Sequence, residues 1–269
     1  MQYIKDMKIV IYTVITGKYD ELRQPACIDD RFSYLCFSND YSEQKIGVWE
    51  IRELPILIND KQRLSRYPKI KPHEFLKDFD YSVYMDANLV IARSGFYESI
   101  LQLIKDEHIL AGVKNGWRDC LYDEGFRCIL SKLDAPTKII KEMRFIKSEG
   151  FPSHYGMYEA NIIFRNHHDK RVINQSNMWW NMVQEYAKRD QLCFSYTTWK
   201  CSIPWCYIFP DGSNTHNNPS IIFHEHPHRL DNLKKFSFRK LIKFLKPLLY
   251  YLYLLIISVK NDEGDTKES

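Results

Sequence analysis

Lys8–Ile15 reads KIVIYTVI, an unbroken apolar, β-branched run that stops at Thr16-Gly17. A run with no polar face must be covered on both sides, so it belongs inside a parallel or mixed sheet. That segment alone requires other elements packed on both faces of a sheet. Phe32–Phe37, Val48–Arg52, Tyr81–Met85 and Ile109–Val113 are further strand-like runs. Between them, Asn59–Pro68 and Phe96–Asp106 carry helical spacing, and the first of these helices is expected to end at Pro68. Strand–helix–strand alternation of this kind predicts an α/β domain with parallel strand pairs. The second half is less regular. Ala135–Ser148 and Asp169–Lys188 read as helices, Asn161–Arg165 as a short strand, and Ile203–Asn218 as an ordered loop.

The tail from Lys234 to Lys260, KKFSFRKLIKFLKPLLYYLYLLIISVK, has a different character. Leu248–Val259 is continuously apolar apart from one Ser, but it is shorter than the ~20 residues needed to span a bilayer. Six cations interleaved with Phe, Leu and Ile precede it. A basic amphipathic segment with aromatic residues suits the surface of an anionic membrane. The expected division is a domain over residues 1–232 and a membrane-associating tail over 233–269. Between Asn232 and Asn261 there are seven basic residues and no acid, so a chain of net charge +4 leaves its body at −3. A nucleic-acid binder would carry its basic stripe on the folded domain, so nucleic acid is not an expected partner.

With 269 residues, 45% hydrophobic and only 10 Gly and 11 Pro, disorder, collagen-like repeats and a polytopic membrane protein are excluded. The seven Cys are odd in number and contain no Cys-x-x-Cys pair, which reads as reduced thiols in a packed core. The N-terminal stretch Met1–Lys8 lacks a long apolar run and a small-residue cleavage site. These features predict a cytoplasmic protein, peripheral on the inner face of the cell membrane.

The local chemistry is concentrated in a few places. Tyr81–Met85 runs straight into Asp86-Ala87-Asn88, which puts two oxygen-bearing side chains on one side of a strand end. Hard divalent ions prefer such ligands, and ligands bind outside the carboxyl ends of parallel strands. His224-Glu225-His226-Pro227-His228 could add an imidazole to that site, and because no cysteine pair joins it, Mn²⁺ or Mg²⁺ is expected rather than zinc. Arg63, Arg66 and Lys69 form a cationic group suited to a diphosphate. Asp190-Gln191 at a helix end, and Glu159 before a strand, could hydrogen-bond sugar hydroxyls, and Glu159 could also accept a proton. Each feature has a bland counterpart as a turn or a solvated face; their order along the chain carries the argument.

That order resembles the GT-A class of nucleotide-sugar glycosyltransferases, and more narrowly the bacterial and plant family once labelled "domain of unknown function 616". The matching stretches are YTVITGKYDEL at Tyr12–Leu22, RLSRYPKIKPHEFL at Arg63–Leu76 and YSVYMDANLVI at Tyr81–Ile91. RDCLYDEG at Arg118–Gly125, GMYEANIIFRNH at Gly156–His167 and RDQLCFSY at Arg189–Tyr196 complete the set. The resemblance implies a single Rossmann-like, mostly parallel mixed sheet flanked by helices. It puts Thr13, Gly17 and Tyr19 beside the nucleotide, and Asp86, Asn88 and His224 at a metal. Asn88 departs from the more usual Asp, which implies weaker metal binding. Arg118, Asp119 and Glu124 fall in a motif without an assigned role. The activity implied is sugar transfer from a nucleotide-sugar, by expectation a UDP-sugar, to a saccharide acceptor such as a lipid-linked surface-polysaccharide precursor. Retention of anomeric configuration is favoured over inversion. A metal-dependent phospho- or nucleotidyltransferase and a non-catalytic membrane-peripheral scaffold are the alternatives; the lack of a Gly-rich phosphate loop counts against the first.

Overall fold

The computed structural model describes residues 7–54, 56, 58–225 and 238–258, with backbone alone for 238–244. A seven-stranded sheet runs in the order β3-β4-β2-β1-β5-β8-β7. Its strands are β1 (Ile9–Ile15), β2 (Phe32–Ser38), β3 (Lys45–Ile46), β4 (Trp49–Arg52), β5 (Tyr81–Met85), β7 (Leu110–Lys114) and β8 (Tyr158–Arg165). β1 pairs in parallel with β2 and β5, and β2 with β4. β8 is reversed and lies antiparallel between β5 and β7. A second, two-stranded sheet pairs β6 (Leu89–Ile91) with β9 (Ile221–Phe223). The mixed, mostly parallel sheet expected from the sequence is present.

Every residue of β1 is buried, because its two faces feed two separate cores. Val10, Tyr12 and Val14 pack with residues of α1 (Lys61–Ile70), α4 (Leu121–Leu130), α5 (Pro136–Ser148), α6 (Lys170–Glu185) and α7 (Gln191–Lys200). Ile9, Ile11 and Ile15 pack with Phe96, Ile100 and Ile104 of α3 (Gly95–Lys105). The period-two alternation of a strand sorts one apolar run into two cores. α2 (Pro72–Phe75) is a single turn.

α1 departs from its expected end. Asp60 caps its start by accepting from the Gln62 and Arg63 amides, but the helix continues through Pro68 to Ile70. Proline removes one helical hydrogen bond and clashes with the preceding turn, a cost of about 3 kcal/mol. Buried groups from the sheet offset that cost at the helix's open carbonyls. Tyr12 donates to the Pro68 and Lys69 carbonyls at 3.2 Å each, and Arg165 of β8 donates to the Lys69 carbonyl at 2.6 Å. A guanidinium at a helix C-terminus is also favoured by the helix dipole. This clamp fixes the last turn of α1, and with it Arg66 and Lys69.

α8 (Phe238–Ser258) closes the described chain and packs on α4 and α5. Tyr253 and Ile257 are buried, and Tyr253 donates to the Tyr122 carbonyl at 2.9 Å. Gly125 of α4 makes room for it: a β-carbon there would stand 2.8 Å from the Tyr253 hydroxyl. The opposite face leaves Leu248, Tyr251, Leu252, Leu255 and Ile256 exposed. Among the described residues no helix is long and apolar enough to cross a membrane. Lys234, Lys235 and Lys260 of the tail lie outside the described residues. Truncating Tyr253 to Ala should destabilise the domain by about 3 kcal/mol, as expected for losing a buried aromatic ring. A urea melt of Tyr253→Ala against Leu255→Ala checks this; the exposed Leu255 should change stability by less than about 0.5 kcal/mol.

Candidate active site

A cleft of about 950 Å³ opens where the sheet's strands deliver their loops. The carboxyl ends of β1, β5 and β7 point to it, and so does the amino end of the reversed β8. Gly17 and Tyr19 follow β1, Asp86 and Asn88 follow β5, Asn115 to Arg118 follow β7, and Glu159 stands near the start of β8. Gly17 adopts φ +65°, a left-handed turn that an L side chain rarely takes, and the Lys61 side chain of α1 runs beside it.

Four charges form the floor. Asp190 is buried, with its carboxylate 2.5 Å from Lys69 Nζ and 3.1 Å from Arg66 Nε. Lys69 Nζ also lies 3.8 Å from Asp86 Oδ1, and it sits over the Tyr84 ring at 4.9 Å. The Tyr84 hydroxyl donates to Asp86 Oδ1 at 2.6 Å. Burial acts to raise the Asp190 pKa, but the neighbouring Arg66 and Lys69 cations outweigh it and hold the carboxyl well below the usual range. Burial raises the Tyr84 phenol far above its ordinary value, so it stays a hydrogen-bond donor to Asp86. Asp190 is held at its backbone too, where its carbonyl accepts from Trp179 Nε1 at 2.8 Å.

Glu159, nearly buried, accepts at Oε2 from Asn161 Nδ2 and from the Thr215 hydroxyl, both at 3.0 Å. Asn161 Nδ2 also donates to Thr215, closing a triangle. Gln191, the first residue of α7, donates through Nε2 to the Tyr158 carbonyl at 3.4 Å. The short β6–β9 pairing brings His224 beside Asn88: the His224 amide donates to the Asn88 carbonyl, and Asn88 Nδ2 donates to the His224 carbonyl, each at 2.9 Å.

Of the residues singled out in the sequence, Gly17, Tyr19, Arg66, Lys69, Asp86, Asn88, Glu159, Asp190 and Gln191 all line this one cleft. Thr13 does not; it is buried within β1, against its expected place by the nucleotide. Arg63 turns away as well, donating to the Val183 and Gln184 carbonyls and pairing with Asp60. It ties α1 to α6 rather than facing a diphosphate. His224 is joined to Asn88 through the backbone but is not part of the lining. His226 and His228 lie outside the described residues. In the unassigned motif, Arg118 and Glu124 line the cleft, whereas Asp119 is exposed and pairs with His154 at 2.8 Å.

Lys61, Ser65, Trp117, Arg127 and His216, and Asn161 and Arg189, to which sequence reasoning gave no role of their own, also line the cleft. Asn161 was within reach, two residues after Glu159 and so on the same side of a strand. Thr215 and His216 sit in a loop with no periodic pattern, and only the tertiary fold brings them in.

For a divalent cation, the donors that line the cleft at this end are the Asp86 carboxylate and the Asn88 amide, with His224 joined to Asn88 through its backbone. No group of three His, Cys, Asp or Glu gathers among the described residues. Oxygen donors with one imidazole suit Mn²⁺ or Mg²⁺, and so small a set fits a cation that takes its remaining ligands from a phosphate.

The chain thus combines a mostly parallel sheet, in which β3 and β8 are reversed, with a polar cleft at its carboxyl edge that contains Asp86 and Asn88, as expected for a GT-A-like fold. It belongs to the family described as TOD1/MUCI70, glycosyltransferase-like domain, whose model matches residues 1–216. No curated protein matches the chain. Among solved structures it is similar to LgtC, a galactosyltransferase in complex with donor and acceptor sugar analogues, at 11% identity and a TM-score of 0.45. That match covers 95% of this chain and 98% of LgtC. GlyE, a glycosyltransferase of Streptococcus pneumoniae, is similar at 10% identity and a TM-score of 0.48, with 93% of this chain and 62% of that one covered. The bifunctional glycosyltransferase WbbM gives 12% identity and a TM-score of 0.45; the chain spans 95% of its own length and 50% of WbbM.

Proposed function

We propose that the chain transfers a sugar from a UDP-sugar to a saccharide hydroxyl, with retention of configuration, in the cleft floored by Asp190, Lys69, Arg66 and Asp86. The observation that carries this reading is the Asp190–Lys69–Arg66 cluster, its acid and lysine buried, beside Asp86 at the carboxyl edge of the sheet. Such a cluster places fixed positive charge where a diphosphate leaves, ready before the reaction begins. Gly17, Tyr19 and Lys61 stand on the β1 side for the nucleotide. Mn²⁺ or Mg²⁺, held by Asp86 and Asn88 with His224 beside them, would supply charge stabilisation to the leaving diphosphate.

The two carboxylates on the acceptor side take different parts in this reading. Asp190 is held ionised by two cations and has little affinity for a proton. Glu159 already accepts two hydrogen bonds on one oxygen, which makes it an orienting group for a sugar hydroxyl. The acceptor oxygen then bonds the anomeric carbon as the bond to the leaving phosphate oxygen breaks. That phosphate takes the hydroxyl proton. This is the retaining course, and it agrees with the resemblance of the Asp190-Gln191 pair to retaining transferases. The resemblance to the family once labelled "domain of unknown function 616" supports the same reading.

The test is a panel of UDP-, GDP-, CMP- and dTDP-sugars assayed for binding and hydrolysis with Mn²⁺ and with chelator. Selective turnover of one UDP-sugar is expected; no binding of any donor would overturn the proposal.

The tail bears on the acceptor. The exposed apolar face of α8 and the basic residues before it suit an anionic leaflet, where each cation contributes roughly 1 kcal/mol. The acceptor proposed is therefore lipid-linked, with the protein peripheral on a membrane surface. Vesicles containing a third phosphatidylserine should co-sediment the wild-type chain but release a Lys240→Glu, Lys243→Glu, Lys246→Glu variant. Equal sedimentation on neutral phosphatidylcholine vesicles would remove the charge-based attachment.

A further inference from the structure

Sugar transfer as proposed leaves one charged cluster in the cleft wall without a task. Glu124 of α4 is buried at 2% exposure, and two arginines hold its carboxylate. Arg127 donates to it through Nε at 2.8 Å and through Nη2, and Arg118 Nη1 stands 3.3 Å away. The arginine side chains are 29% and 31% exposed against 3% for the acid, so the acid lies behind and the cations in front. Two guanidiniums over one carboxylate present a net positive charge to the cleft. Each guanidinium has five N–H donors; Arg127 spends Nε and Nη2 on Glu124 and Cys128, which leaves its Nη1, and Arg118 approaches the acid through Nη1. If the cluster served only to pin α4 to the β7 loop, apolar packing would do as well without the cost of burying a charge.

A second observation lies on the neighbouring residue. Trp117 is 72% exposed, yet it lines the cleft, with its ring edge-on to His216 at 6.0 Å. Its loop is held in place from below: Asn115 Oδ1 accepts from the Trp117 and Arg118 amides, both at 2.9 Å. An exposed indole on a braced loop is a flat platform for the apolar face of a sugar ring. The platform and the arginine pair therefore adjoin.

Trp117 and Arg118 leave the sheet on the side away from the donor. Along the sheet, β7 lies two strands beyond β5 and three beyond β1. At about 4.8 Å per strand, that is roughly 10 Å from the Asp86 end and 14 Å from the nucleotide side. Glu159, on the strand between β5 and β7, marks the reacting hydroxyl. We infer that Arg118 and Arg127, braced by Glu124 and flanked by Trp117, form an acceptor subsite for an anionic saccharide, binding a carboxylate or phosphate group while Trp117 stacks on the ring. The assignment to the acceptor rests on the sugar-transfer reading above.

Calorimetric titration of the full chain with two matched pairs of trisaccharides tests it. One pair is a glucuronic-acid-terminated trisaccharide and its methyl ester; the other is a 6-phosphorylated trisaccharide and its unphosphorylated twin. In at least one pair the charged member should bind about ten-fold or more tightly than the neutral one, and the pair that shows it identifies the anion. Arg118→Gln with Arg127→Gln should erase the preference. So should the charge-balanced Arg118→Gln, Glu124→Gln, Arg127→Gln variant, which leaves no carboxylate buried alone. Trp117→Ala should weaken both members of a pair alike. Equal binding of charged and neutral members in both pairs, or a preference that survives the triple variant, overturns the subsite. UDP-sugar binding is measured on the same wild-type preparation. Its absence, with the charge preference intact, would overturn the acceptor assignment and the transferase reading while leaving an anion site in place.

Discussion

Replacing Asp190 by Asn should unfold the protein at lower denaturant and abolish sugar transfer together. The substitution leaves Lys69 and Arg66 facing each other across a buried site without the carboxylate that balances them. Breaking a buried ion pair from one side costs about 3–5 kcal/mol, because the remaining charge is buried unpaired. At roughly 2–4 °C per kcal/mol for a chain of this size, the melting temperature should fall by about 10 °C. The pH dependence has a definite sign. Asp190 has a depressed pKa in the folded state, so its contribution is present above the ordinary carboxylate value and lost as pH falls toward the folded one. The stability gap between wild type and Asp190→Asn should therefore be constant from pH 5 to 7 and narrow below about pH 4. A gap that stays constant down to pH 2 would show that the carboxylate is not paired as described.

Asp86→Ala should give the opposite combination, a folded protein without turnover. Asp86 is a third exposed, at the end of β5, and it loses one hydrogen bond from Tyr84 and a distant contact with Lys69. The stability cost should be about 1 kcal/mol. Donor hydrolysis, however, should drop by about 10²–10³-fold, the usual loss when a preorganised group at the leaving charge is removed. Any stimulation by Mn²⁺ should vanish with it. Steady-state hydrolysis with and without Mn²⁺, alongside a urea melt, reads both quantities. Turnover within a few fold of wild type would move the metal and diphosphate away from Asp86. Read together, the two variants separate the part of the floor that holds the fold from the part that does the chemistry.

Asp86 in the floor, and Gly17 on the β1 side, could be read from the sequence because strand ends declare themselves. An apolar run that stops at Thr16-Gly17 or at Asp86-Ala87-Asn88 fixes both the strand and the residues it delivers to the sheet edge. The elements that escaped did so for physical reasons. α7 is buried almost all round, from Leu192 to Thr198, so it shows no polar face and no helical period. β6 and β9 are three residues each and pair across 130 positions or more, which no local pattern encodes. α4 carries Gly125 in its middle, which reads as a break until Tyr253 is seen packed over it. Arg63 and Arg66 share a helical face in sequence, yet Arg63 is drawn off by carbonyls of α6 and Arg66 by Asp190, partners more than a hundred residues away. Spacing gives the face of a helix; it does not give the rotamer.

The docking of α8 has one last consequence, for how the chain tolerates change. Positions 250, 253 and 257 face α4 and α5, where Tyr250 donates to Asp123 and Tyr253 to the Tyr122 carbonyl. Positions 248, 251, 252, 255 and 256 face outward. One helix thus carries two unrelated constraints, interleaved residue by residue. Drift on the inner face changes how firmly the domain is folded, and drift on the outer face leaves that packing alone. The outward-facing side chains can therefore be rewritten while the packing behind them stays undisturbed.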